Sequence, residues 1–84
     1  MVAYTVIIEK GRHNFSAYCP DLPGVIATGK TEEKTFENMK EAIKFHLEGL
    51  REENQSLPFP ISKARKIQIS KKLLEKPNRH SIPA

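Results

Sequence analysis

The alternation of apolar and polar positions is sharpest near the N-terminus. In "AYTVIIEK" (3–10) Tyr4, Val6 and Ile8 fall on one side of an extended chain, and Thr5, Ile7 and Glu9 on the other. Its β-branched and aromatic content suits a strand. "GRHN" follows as a hairpin loop, with Gly11 available for positive φ. "FSAYC" (15–19) reads as the return strand, with Phe15, Ala17 and Cys19 on one face. "PDLPG" (20–24) is a rigid turn, because Pro23-Gly24 suits the two central positions of a type II turn. "VIAT" (25–28) is a third strand.

The period then lengthens. Gly29 breaks the strand, Thr31 can cap a helix, and Glu32 and Glu33 sit where the helix dipole favours negative charge. The spacing predicts a helix over 32–53, with Phe36, Met39, Ile43, Leu47 and Leu50 in one apolar stripe. Glu33, Glu37, Glu41, Glu48 and Glu52 fall on another face, interleaved with Lys44 and Arg51. "ENQSLPFP" (53–60) ends the helix, and "RKIQIS" (65–70) reads as a fourth strand. The expected fold is therefore α+β: a three-stranded antiparallel sheet, one long helix and a fourth strand, β-β-β-α-β. It occupies 1–70, followed by a basic, flexible tail over 71–84.

One helix covers only one face of such a sheet. The remaining apolar side chains, with Ile7 and Ile26 as candidates, need cover from elsewhere, and an exposed strand edge is a template for pairing. A chain of 84 residues has a thin stability margin of its own. Its one cysteine, Cys19, cannot form an intrachain disulfide, and Cys19, His13, His46 and His80 lack the paired spacings of zinc ligands. No metal or cofactor is expected. A homodimer or higher homo-oligomer is the expected source of further burial. No apolar run approaches the ~20 residues needed to span a bilayer, and a signal peptide's basic and apolar regions are missing. The expectation is a soluble, cytoplasmic protein.

The net charge of +4 is unevenly spread: residues 1–60 carry seven Lys/Arg against nine Asp/Glu, whereas residues 61–84 carry seven against one. The basic segment, with Lys63, Arg65, Lys66, Lys71, Lys72 and Arg79, carries one alternative reading, an oligomeric nucleic-acid-binding regulator, although no aromatic residue interleaves with its charges to stack on bases.

From Gly24 the chain spells G-V-I-A-T-G-K-T, the letters of a phosphate-binding loop. In such a loop the four residues between the glycines are irregular, so that N–H groups converge on phosphate. Here they are Val25, Ile26, Ala27 and Thr28, which favour strand, and a turn precedes them. The match is a coincidence of spelling. Ser16, His46 and Asp21 supply the residue types of a hydrolase triad, but nothing like a nucleophile elbow surrounds Ser16. His46 borders the apolar stripe and reads as a packed or rim histidine. Asp21 reads as an acceptor for backbone N–H groups of its own turn, with a partner contact as the alternative, and Tyr4 and Tyr18 suit either a half-buried sheet or an interface.

Taken together, the Pro20-Asp21-Leu22-Pro23-Gly24 turn, Gly29 and Thr31, the helix residues Glu33, Asn38, Glu41, Ala42 and Ile43, and the Pro58-x-Pro60 close resemble the HicB-like antitoxin domain. The resemblance covers about residues 4–70. Lys30 stands where the family commonly has aspartate, and it completes the phosphate-loop spelling. The resemblance implies a truncated ribonuclease-H-like fold and an antitoxin that occludes the active site of a small HicA-type mRNA-cleaving toxin. It implies no enzyme. Ribonuclease-H chemistry needs carboxylates converging on two metals ~4 Å apart, and the strands offer only Glu9, with Asp21 in a turn. The partner-facing candidates are Glu33, Glu37, Glu41, Tyr18 and Asp21.

Overall fold

The computed structural model describes residues 1–75. Three strands, β1 (Ile7–Lys10), β2 (Phe15–Tyr18) and β3 (Ile26–Gly29), precede one long helix, α1 (Glu32–Glu52). The sheet is antiparallel, in the order β1-β2-β3. Its register aligns Ile8, Ala17 and Ala27 across one face, and Ile7, Tyr18 and Ile26 across the other. The helix covers the first of these faces. Ala17, Cys19, Leu22, Val25 and Met39 form the buried core, with Tyr4, Val6, Ile8, Ala42, Ile43 and Leu47 packed around it.

The strands are shorter than their alternation. Ile7 pairs with Tyr18, so continuing the register would set Thr5 opposite Pro20, which has no N–H to donate. Gly24 adopts φ +89°, and the Val25 N–H reaches the Leu22 carbonyl at 3.2 Å, closing the turn expected of Pro23-Gly24. Gly11, by contrast, does not use a positive φ.

The helix starts as its sequence prescribes. Thr31 is extended (φ −129°) and its hydroxyl accepts from the Lys34 N–H at 3.0 Å. Its far end uses a device that the apolar period does not show. Asn54 takes φ 56°, its N–H donates to the Arg51 carbonyl, and the Gln55 N–H donates to the Leu50 carbonyl at 2.9 Å. These are the paired bonds of a Schellman close, with asparagine where glycine is usual.

Residues 65–70 depart from expectation: they form no strand. The alternation is present, but among the described residues no strand lies alongside, and a strand without a neighbour leaves its backbone bonds unmade. Among the described residues the sheet therefore has three strands. Lys71–Leu74 make a single 3₁₀ turn capped by Ser70.

Candidate interaction surface

The sheet face turned away from α1 carries two rows. Ile7, Tyr18 and Ile26 lie side by side across the three strands, and Glu9, Ser16 and Thr28 form a polar row next to them. Tyr18 is 42% exposed and Ile26 69%. Ile7 and Ile26 are the candidates expected to need cover from elsewhere, and the register joins them through Tyr18 into one apolar strip.

The sequence-derived candidates do not form one cluster. Glu33, Glu37 and Glu41 are exposed on α1, whereas Tyr18 belongs to the opposite side of the molecule, because its neighbour Ala17 is the residue buried under the helix. Asp21 differs from expectation. The N–H groups of Leu22 and Val25 are taken by backbone carbonyls of Cys19 and Leu22. The Asp21 carboxylate instead accepts from the backbone N–H of Ser62 at 3.0 Å and from its hydroxyl at 2.9 Å.

Two further contacts hold the same segment. The Tyr4 hydroxyl donates to the Pro58 carbonyl, and the Thr5 hydroxyl donates to the Ser62 carbonyl at 3.0 Å. Asp21 is thus a clamp that fixes where the chain leaves the body. Asp21→Ala should loosen this docking by about 1–3 kcal/mol, the cost of leaving partly buried donors without acceptors. Amide exchange should then quicken at Ser62 while the amides of β2 keep their protection. Unchanged exchange at Ser62 would remove the clamp from the account.

Of the basic candidates, Lys63, Arg65, Lys66, Lys71 and Lys72 are exposed, and Arg79 lies outside the described residues. His46 is half-buried and lines a groove with Gly24, Val25, Phe45 and Leu50. The phosphate-loop letters fall on β3 and the helix cap, with Ile26–Gly29 in regular strand, so no nest of N–H groups forms there. Among the described residues no three His, Cys, Asp or Glu side chains gather as metal ligands, and no helix is long and apolar enough to cross a membrane.

Comparison with known proteins decides the family. The family model described as a HicB-like antitoxin of bacterial toxin–antitoxin systems matches residues 4–75. The chain belongs to the HicB-like antitoxin family. Relatives are widely spread. A 14.9 kDa protein of Haemophilus phage HP1 is 40% identical over 55 residues, a stretch covering 66% of this chain and 41% of the phage protein. A UPF0150 protein of Thermoplasma acidophilum is 39% identical over 66% of this chain and 81% of its own length. Another, from Synechocystis, is 39% identical over 66% and 71%. No solved structure gives a significant match. The motifs that define the HicB-like resemblance are those that build the fold: the Pro23-Gly24 turn, the Thr31 cap and Asn38, whose side-chain amide donates to the Thr28 carbonyl at 2.8 Å.

Proposed function

We propose that this HicB-like chain acts as an antitoxin, binding a small HicA-type mRNA-cleaving toxin and covering its active site. The observation that carries this reading is the family match over residues 4–75. The apolar row of half-buried Ile7 with exposed Tyr18 and Ile26 supports it as a surface with something left to bury. The proposed action is binding rather than catalysis. Both carboxylate oxygens of Asp21 are engaged by Ser62, which leaves it ill suited to gather a metal with Glu9.

Glu33, Glu37 and Glu41 would then serve encounter with a basic partner, which acts on association rate more than on affinity. The test begins with growth. The reading frame adjacent to this one in its genome is expressed alone and then together with this chain. Arrest by the neighbour and rescue on co-expression are the expected results; a neighbour that is harmless, or harmful without rescue, overturns the reading. With a rescuing pair in hand, neutralising the three glutamates should slow association and flatten its salt dependence.

A further inference from the structure

Past the Asp21–Ser62 clamp the chain changes character. Residues 63–74 hold five cations, Lys63, Arg65, Lys66, Lys71 and Lys72, and no Asp or Glu. Every residue of this arm is exposed. Four large apolar side chains lie among the cations and are equally uncovered: Ile67 is 83% exposed, Ile69 58%, Leu73 75% and Leu74 81%. Residues 1–60, by contrast, carry nine Asp/Glu against seven Lys/Arg. A mildly acidic body thus leads into an arm that combines positive charge with uncovered hydrocarbon.

Each half of that combination restricts the partner. The phosphates of a nucleic acid would take up the cations but leave the four aliphatic side chains in water, and residues 61–75 include no aromatic to stack on a base. A dry protein groove suits the arm poorly as well. In the extended stretch Arg65 shares a side with Ile67 and Ile69, and Lys66 shares the other with Gln68 and Ser70. Neither side can be buried without taking a charge out of water, which is costly. Lys71 and Lys72 adjoin Leu73 and Leu74 in the single 3₁₀ turn. The headgroup boundary of a bilayer accepts this interleaving. Long basic side chains there reach anionic headgroups while their apolar neighbours enter the acyl region.

We propose that residues 63–74 bind the surface of an anionic phospholipid bilayer. The five cations supply the attraction, and Ile67, Ile69, Leu73 and Leu74 insert below the headgroups. The contact is peripheral, since no helix among the described residues is long and apolar enough to cross. The Asp21 carboxylate, holding Ser62 by its N–H and its hydroxyl, fixes the point from which the arm reaches the surface.

Lipid binding of this kind is independent of the antitoxin reading and is tested on the chain alone. The full chain is sedimented with vesicles of phosphatidylcholine, and with vesicles of equal parts phosphatidylcholine and phosphatidylglycerol. Binding is expected to the anionic vesicles only, and should weaken as salt screens the charges. Lys71→Gln/Lys72→Gln should lower the partition coefficient by about 30-fold, or fivefold for each basic residue near the surface. Leu73→Ser/Leu74→Ser keeps every charge and should lower it by about tenfold or more, because the inserted apolar area is lost. All four positions are exposed, so the circular dichroism of both variants should match that of the unaltered chain. The chain has no tryptophan. Leu74→Trp therefore provides a single emitter, whose emission should shift to the blue on binding as the ring leaves water. Failure to bind anionic vesicles overturns the proposal. Binding that Leu73→Ser/Leu74→Ser leaves unchanged, or an emission that does not shift, overturns it too, since the cations alone would then be adsorbing. A duplex oligonucleotide that displaces the vesicles, and binds Leu73→Ser/Leu74→Ser as tightly as the unaltered chain, would assign the arm to nucleic acid instead.

Discussion

Met39→Ala is expected to destabilise the domain by about 2–5 kcal/mol, the usual range for truncating a fully buried methionine. Met39 is 0% exposed, and it is the α1 residue that completes the buried cluster of Ala17, Cys19, Leu22 and Val25. The alanine would lose that packing and leave a cavity on the helix side. Cores of this size rarely supply more than about 3–5 kcal/mol of net stability, so much of the variant should be unfolded without denaturant. Urea unfolding followed by circular dichroism should show a lower midpoint with the slope retained, the signature of lost stability rather than a changed denatured state. Phe45→Ala is the control. Phe45 is larger but 80% exposed, and its truncation should change stability by no more than about 0.5 kcal/mol. Equal effects at the two positions would mean that α1 lies on the sheet by a different face.

That contrast shows what hydrophobic periodicity conveys and where it stops. Of the predicted stripe Phe36, Met39, Ile43, Leu47 and Leu50, the residues Met39, Ile43 and Leu47 pack into or against the core, whereas Phe36 is 45% exposed and Leu50 lies outside that cluster. Alternation puts Phe15, Ala17 and Cys19 on one face, where Ala17 and Cys19 are buried, and names Ile7 and Ile26 as side chains in need of cover, which the register sets on the face away from α1. Local chemistry was equally legible at Gly24 and Thr31, where a turn and a cap depend on a few neighbouring residues. The Asp21–Ser62 clamp was not, because it joins residues 41 apart in sequence and no local pattern encodes a long-range hydrogen bond. Asn54 was missed for another reason: an asparagine closing a helix has no period to mark it. Residues 65–70 carry a genuine strand signal, but alternation says only that one face wants burial. It does not say which chain supplies the neighbour.

Gly29→Ala is expected to cost about 1–3 kcal/mol, through crowding rather than backbone strain. A Cβ at Gly29 would approach the Thr35 side-chain oxygen at 2.7 Å, the Thr35 nitrogen at 2.8 Å and its Cα at 3.0 Å. Rotating a side chain relieves only the first of these. The other two belong to the backbone of the first helical turn, itself fixed by the Thr35 N–H and hydroxyl bonds to the Thr31 carbonyl. The start of α1 would have to lift from β3 or the strand end would have to shift. Gly24→Ala makes a useful comparison, since a Cβ there meets nothing within 4 Å and only its φ of +89° resists substitution. Thr35→Ala should therefore rescue Gly29→Ala little, because two of the three obstructing atoms remain. This also accounts for the phosphate-loop spelling. Gly29 is required by the close passage from strand to helix, and Thr31 by the cap, so two of the three decisive letters in "GKT" have structural reasons without any phosphate. An unchanged unfolding midpoint for Gly29→Ala would mean that β3 passes into α1 with room to spare, and the spelling would lose that explanation.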